Sequence, residues 1–353
     1  MGISTSVESL SGIFGGLNSE GVSGLRLFAW ARGMDPSLCD SSDVCSLIID
    51  NCGWLDDYGT MFRLLKEFSS RQICLNEKAF GFLLFLCSNK ASMLESTRRV
   101  VNLLNEVGGS CLGSGICGLL KMLSKLDLFD LAKFVMEITD RRVPYYNILI
   151  LEICQRCCFE EAHDMIEEMR QFGCDPDSRT YNYLLSSLCK HDRTAEVLNV
   201  FREMQNKGCP PDSLTYEIVI YFLCRLGKLD IAGHFYDMMV SRGLEPRLAT
   251  FTTLIEGYFK SGQYEDAYNY VVASGDKFWH SGNRIYSFLA DLYRRKGHLM
   301  TAAKILIEMM DKGLIPEFPV YMTITKRVYK CGGGQLASDL KRRFTRLRYK
   351  GEV

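Results

Sequence analysis

Apolar residues recur along this chain at intervals of three and four positions, and the same short pattern returns after 35 residues. Tyr181 is followed by Leu184, Leu185 and Leu188, and Tyr216 is followed by apolar residues at the same three intervals. Such spacing places the apolar side chains on one face of a helix. No segment alternates apolar and polar residues over the length of a strand, so the pattern predicts an all-α protein.

Each 35-residue unit contains a second amphipathic helix that begins near a small residue such as Ala162, Ala232 or Ala302. Glycine closes a helix in the left-handed conformation, and a proline beyond it prevents the helix from continuing. Four units end in this way, at Gly173 and Pro176, Gly208 and Pro211, Gly243 and Pro246, and Gly313 and Pro316. One hairpin is too small to bury its apolar face alone, so the repeat predicts hairpins stacked into an α-solenoid.

The clarity of the repeat divides the chain into four parts. Residues 1–37 form an N-terminal segment with a partial repeat, and residues 38–142 contain divergent repeats. Residues 143–317 contain five clear repeats, and residues 318–353 form a C-terminal repeat or cap with a basic tail, "LKRRFTRLRYK". The register of the divergent units, which begin near Leu38, Asn76 and Gly113, is not fixed by the pattern.

Composition narrows the class of protein only slightly. The 353 residues include 42 basic and 42 acidic side chains, so net charge neither indicates nor excludes a phosphate-binding surface. No run approaches the roughly 18 apolar residues of a membrane-spanning helix, and we expect no membrane association. The N-terminus lacks the features of a secretory signal, so the 15 cysteines are expected to be reduced thiols.

Two short motifs resemble sites of known chemistry but are better explained by the repeat. Cys154 and Cys157 have the spacing of a metal-ligand pair, yet Cys154, Cys189 and Cys224 are themselves 35 residues apart, as packing positions would be. The segment "GSGICG", residues 113–118, fits a dinucleotide fingerprint but follows a predicted helix rather than the strand that the fingerprint requires. We therefore predict no metal, no cofactor and no enzymatic activity.

The clear units resemble the pentatricopeptide repeat family, of the kind built from 35-residue units. The segments "RTYNYLLSSLCK", "AEVLNVFREMQNKGCPPD" and "ATFTTLIEGYFKSGQYEDA" carry the resemblance. It implies a right-handed α-solenoid of helix-turn-helix repeats that binds single-stranded RNA, with one base recognised per repeat. Members of the family are abundant in land plants and act mostly on RNA in mitochondria or chloroplasts.

In this family the fifth and the last residue of a unit contact the base edge. Asn with Asp prefers uracil, so the resemblance implies a uridine preference at two adjacent repeats. The carboxylate of Glu217 would repel an electronegative ligand unless Arg247 neutralises it. Thr252 fits a purine preference, but Gly282 supplies no partner for it. Ser287 with Glu317 predicts no base. The five pairs are Asn147 with Asp177, Asn182 with Asp212, Glu217 with Arg247, Thr252 with Gly282, and Ser287 with Glu317.

Two functions remain open from the sequence. The first is a monomeric, non-catalytic RNA-binding protein of an organelle, acting in RNA processing, stabilisation or translation, with protein partners in RNA processing. The resemblance favours the mitochondrion, with the chloroplast as the alternative, although the segment before Arg26 is a poor targeting peptide. The second is a helical scaffold for protein partners, which Glu217, Glu317 and the zero net charge favour.

Overall fold

The computed structural model describes residues 6–86 and 90–350, and every element in these ranges is a helix. They form twenty α-helices and two short 3-10 helices, without a strand among the described residues. Two compact units are present, residues 1–187 and residues 188–353. The all-α prediction is confirmed.

The first unit contains eleven α-helices, the last of which continues into the second unit. Two 3-10 helices lie among them, at Leu38–Asp40 and Glu77–Phe80. The α-helices are α1 (Val7–Ser19), α2 (Leu25–Met34), α3 (Ser42–Trp54), α4 (Tyr58–Ser70), α5 (Phe82–Phe85), α6 (Lys90–Val107), α7 (Gly109–Lys125), α8 (Phe129–Glu137), α9 (Val143–Gln155), α10 (Phe159–Gln171) and α11 (Ser178–Lys190).

The second unit contains nine further helices, most of them 13 residues long. These are α12 (Thr194–Asn206), α13 (Ser213–Arg225), α14 (Leu229–Ser241), α15 (Leu248–Lys260), α16 (Tyr264–Lys277), α17 (Trp279–Arg295), α18 (Leu299–Asp311), α19 (Phe318–Lys330) and α20 (Gly334–Lys350). From α9 onward, the first helices of successive units begin at Val143, Ser178, Ser213 and Leu248, as the 35-residue period predicts.

The Gly–Pro signals end the second helices as expected. At the end of α12, Gly208 has a φ of 77°, and the N–H of Cys209 donates to the carbonyl of Met204 at 3.0 Å. This bond satisfies a carbonyl that the last helical turn would otherwise leave unpaired. Gly243 closes α14 in the same left-handed conformation.

The aromatic residue near the start of each first helix is the centre of the core. Tyr146, Tyr181, Tyr216, Phe251 and Tyr286 are completely buried. In the second unit α13 packs against α15, α15 against α17, and α17 against α19, while each also contacts its own second helix. This successive packing of hairpins is the arrangement of an α-solenoid.

Two places depart from the regular repeat. Between α16 and α17 only Phe278 separates the helices, where neither Gly nor Pro provides the usual turn. The apolar run that begins near Asn76 forms a 3-10 helix and the single turn α5, so Phe85 is left exposed. The sequence pattern placed the start of a divergent unit near Asn76 without fixing its register.

A buried polar network joins the N-terminal elements of the first unit. Asp50 on α3 accepts hydrogen bonds from the N–H of Phe82 at 2.6 Å and from Asn18 Nδ2 at 3.0 Å. Burial raises the pKa of Asp50 to about 6, although these hydrogen bonds oppose the shift. Across the described residues, no helix has the length and apolar character needed to cross a membrane.

Candidate nucleic-acid interface

The last residue of a repeat is placed by the start of the next first helix. Asp212 is the N-cap of α13, where its Oδ1 accepts a hydrogen bond from the N–H of Thr215 at 2.8 Å. In turn, Thr215 Oγ1 accepts a hydrogen bond from the N–H of Asp212 at 3.2 Å. This capping box forms because an aspartate and a threonine three residues later satisfy each other's backbone donors.

Asp177 and Thr180 form the same reciprocal bonds at the start of α11. Thr180 N donates to Asp177 Oδ1 at 2.9 Å, and Asp177 N donates to Thr180 Oγ1 at 3.2 Å. Both carboxylates therefore have a structural role in helix capping. The cap also holds each carboxylate in one rotamer at the end of its repeat.

The structure brings Asn147 and Asp177 together. Asn147 Nδ2 donates to Asp177 Oδ1 at 3.3 Å, and Asn147 Oδ1 accepts from Thr180 Oγ1 at 2.6 Å. Asn147 as a residue is 6% exposed, and these two hydrogen bonds hold its amide in one orientation at the edge of the core. An amide fixed in this way presents a defined order of donor and acceptor to a ligand.

The carboxylate of Asp177 remains ionised under ordinary conditions. Partial burial acts to raise its pKa, but hydrogen bonds from Thr180 and Asn147 and the charge of Arg179 outweigh burial. The pKa of Asp177 is therefore below its usual range. An ionised carboxylate accepts hydrogen bonds without donating any, which favours the Asn147 orientation in which Nδ2 faces it.

The second predicted uracil pair spans the two compact units. Asn182 lies on α11 in the first unit and is buried, and Asp212 lies at the start of α13 in the second unit. Within its own unit, Asn182 is the fifth residue of a first helix, as Asn147 is in the sequence, and Asp212 is an N-cap. Their joint action on a base stays a prediction.

Glu217 and Arg247 form a bidentate ion pair. Arg247 Nε donates to Glu217 Oε1 at 2.7 Å, and Arg247 Nη2 bonds to Glu217 Oε2. Thr250 Oγ1 also donates to Glu217 Oε1, at 3.1 Å. Arg247 therefore neutralises the Glu217 carboxylate, which is the condition for an electronegative ligand to approach this position.

The remaining two pairs do not meet through their side chains in this way. Thr252 Oγ1 donates to carbonyls of its own helix, at 3.2 Å to Leu248 and 3.1 Å to Ala249. Gly282 lies inside α17, three residues after its start, rather than before a first helix. Ser287 is completely buried, and its Oγ accepts from the backbone N–H of Glu317 at 2.9 Å, so it positions the chain rather than the carboxylate.

Sequence reasoning missed the threonines that organise these pairs. Thr180 contacts both members of the first pair, and Thr250 contacts Glu217 of the third. The signal was visible, because Thr180, Thr215 and Thr250 are 35 residues apart and each precedes an aromatic core residue.

The two motifs set aside above lie within helical hairpins. Residues 113–118 are in the interior of α7, so no strand-to-helix turn exists there. Cys154 is buried on α9, and burial raises its pKa to about 12, which keeps the thiol protonated. No cluster of three His, Cys, Asp or Glu side chains that could hold a metal is found in the described residues.

Comparison with known proteins identifies the repeat. The sequence model of the PPR repeat family matches residues 142–190 and 180–225, and the PPR repeat model matches residues 214–244, 249–271 and 284–314. The crystal structure of the pentatricopeptide repeat protein PPR10 from maize matches with a TM-score of 0.51 and 19% identity over 95% of this chain. The chain contains pentatricopeptide repeats, which lie between residues 142 and 314. It spans 54% of the maize PPR10 chain, so about half the length of that protein has no counterpart here.

Other solved pentatricopeptide repeat structures are similar at lower TM-scores. PPR10 in complex with an 18-nt psaJ RNA element matches at 0.42, with 16% identity over 99% of this chain and 49% of that one. The PPR domain of Arabidopsis thaliana protein-only RNase P 1, in complex with tRNA, matches at 0.38, with 16% identity over 44% of this chain and 86% of that one. No curated protein matches the chain in sequence.

Proposed function

We propose that this pentatricopeptide repeat protein binds single-stranded RNA without catalysing a reaction. The observation that carries the proposal is the Asn147 amide, fixed between Thr180 Oγ1 at 2.6 Å and Asp177 Oδ1 at 3.3 Å. Uracil presents an acceptor beside a donor on one edge, and an amide of fixed orientation can pair with both. The family membership supports the same function, because these repeats are known as a base-by-base recognition module.

We further propose that Asn147 with Asp177 and Asn182 with Asp212 recognise two successive uridines. Two bases contribute about 6 kcal/mol at best, if each stacked base contributes roughly 1–3 kcal/mol. Micromolar affinity requires about 8 kcal/mol. Other repeats, phosphate contacts or a protein partner in RNA processing must therefore supply the remainder.

The basic tail is one source of phosphate contacts, although part of its charge is already paired. Arg342 and Arg343 both donate to Asp339, at 2.6 Å and 2.8 Å, and Arg343 also pairs with Asp311. Phosphate binding there has to compete with these acids. We expect binding to weaken steeply with salt, as contacts with a phosphate backbone do.

The protein would act as a monomer that occupies a transcript segment in an organelle, the mitochondrion or alternatively the chloroplast. Occupying that segment would influence RNA processing, stability or translation. A scaffold for protein partners is less well supported than the sequence suggested, since the Glu217 carboxylate is neutralised by Arg247. The RNA-binding experiment distinguishes the two functions.

Binding is tested by fluorescence anisotropy with short RNAs that contain UU, CC or AA in a constant flank. Asn147→Ala is expected to weaken binding to the UU RNA about tenfold, the effect of losing one good base-edge contact. Asn206→Ala, at the exposed end of α12, is the matched control and is expected to leave binding unchanged. If no RNA binds even at low salt, the RNA-binding proposal is wrong and the scaffold becomes the better hypothesis.

A further inference from the structure

The ion pair at the third predicted base position exposes a basic side chain, Arg247, and not the acidic surface that Glu217 suggested in the sequence. The Glu217 side chain is 11% exposed, whereas that of Arg247 is 65% exposed. Both carboxylate oxygens of Glu217 accept from Arg247, and Oε1 also accepts from Thr250. A ligand at this position therefore meets the guanidinium before it meets the carboxylate.

The guanidinium keeps several donors for a ligand. Arginine carries five N–H groups, and the contacts to Glu217 use Nε and one hydrogen of Nη2. The remaining N–H groups point away from the carboxylate because the guanidinium is planar and rigid. Glu217 thus acts as an anchor that holds Arg247 in one rotamer, as Asp177 holds the Asn147 amide.

The neighbourhood of the pair is suited to a flat apolar ligand. Leu214 lies three residues before Glu217 on α13, and Tyr221 lies four residues after it, so all three share one face of the helix. Both Leu214 and Tyr221 are exposed. An exposed leucine and an exposed tyrosine favour contact with a base plane, which is apolar, over contact with a phosphate, which is strongly hydrated.

We propose that Arg247, anchored by Glu217, recognises a guanine at this repeat. Guanine presents two acceptors, O6 and N7, on one edge, and the arginine fork matches them in a bidentate contact. Cytosine and adenine place an amino donor beside their acceptors, and uracil places its N3–H there, so each of these bases meets the guanidinium less well. The inference rests on the proposed RNA binding and assigns the base at one repeat.

The experiment compares RNAs that contain two uridines next to one variable base. Because the direction of the RNA along the repeats is to be determined, the variable base is placed on either side, as UUN and as NUU. For one of the two orders, the wild-type protein is expected to bind the guanine RNA about tenfold more tightly than the other three. Arg247→Lys keeps the charge but removes the fork, and it is expected to reduce this preference to about twofold or less.

The control is Arg202→Lys, at an exposed position of α12, which should leave the guanine preference unchanged. Circular dichroism confirms that both variants are folded. An equal loss of affinity for all four bases in Arg247→Lys would identify a phosphate contact and overturn the inference. A uridine preference without any guanine preference in the wild-type protein would overturn the inference and leave the proposed function intact, whereas failure to bind any RNA would overturn both.

Discussion

Replacing Thr180 by valine tests whether the Thr180 hydroxyl orients the Asn147 amide, because the substitution leaves the other residues of the site unchanged. Thr180 is completely buried, and its Oγ1 lies 2.6 Å from Asn147 Oδ1 and 2.9 Å from Asp177 Oδ1. Valine keeps the shape of the side chain but removes the hydroxyl. The backbone N–H of residue 180 still donates to Asp177 Oδ1, so the helix cap survives in part.

The size of the effect follows from the lost hydrogen bond. A buried carbonyl oxygen left without its partner costs about 1–3 kcal/mol of stability, and the bond itself contributes about 1 kcal/mol net. Without the hydroxyl, the Asn147 amide loses about 1 kcal/mol of preference for its present orientation. Uracil and cytosine present donor and acceptor in opposite order, so we expect the uracil-over-cytosine ratio to fall about fivefold.

Two measurements on the same samples test this reasoning. Urea denaturation followed by circular dichroism gives the stability loss, and fluorescence anisotropy with UU and CC RNAs gives the base ratio. Thr180→Ser is the control, because serine keeps the hydroxyl and should restore both values. A valine variant that is destabilised yet keeps the wild-type base ratio would show that Thr180 has a capping role only.

Three further predictions concern the first unit. Gly118→Ala should destabilise by about 1–3 kcal/mol, because the new Cβ would lie 2.8 Å from backbone of the adjacent 3-10 segment. Gly113→Ala, on the same helix with no atom within 4 Å of its new Cβ, should stabilise by about 0.5–1 kcal/mol, and urea midpoints of the two variants check both signs. The pKa of Asp50 in the native state, about 6, exceeds its ordinary value of 3.8, so the native state binds the proton more tightly than the unfolded state does. The contribution of Asp50 to the free energy of unfolding should therefore fall by about 3 kcal/mol as the pH rises from about 4 through 6. Subtracting the pH–stability curve of Asp50→Asn from that of the wild type measures this slope, and a flat difference would contradict it. Arg156→Ala should lower the free energy of unfolding by about 1–2 kcal/mol, since Arg156 donates to two carbonyls at the end of α7, at 2.8 Å and 3.0 Å. Arg142→Ala, at the surface, is the control and should leave the urea midpoint unchanged.

The helices of the regular repeats could be predicted closely from the sequence. Their boundaries depend on local signals, such as Gly208 at the end of α12 and the Asp212–Thr215 capping box at the start of α13. Local signals act over a few residues and do not require knowledge of distant contacts. Where they are absent, as at Phe278, a single residue separates two helices.

The candidate site was only partly predictable, since its contacts join residues about 30 positions apart. The family resemblance paired Asn147 with Asp177 and Glu217 with Arg247, and the structure gives both pairs direct side-chain contacts. It did not indicate which member of a pair is exposed. That depends on how the next hairpin packs and on a buried threonine that only the folded chain brings near.

By itself, the sequence determined the 35-residue period, the helical hairpins and the aromatic core, because these follow from local spacing and helix-ending residues. Only the tertiary structure decided that Thr180 orients the Asn147 amide and that Glu217 lies beneath an exposed Arg247. The physical reason is that a side chain's chemistry toward a ligand depends on the donors and acceptors that its neighbours have already used. Those neighbours belong to the next repeat and are fixed only when the hairpins stack.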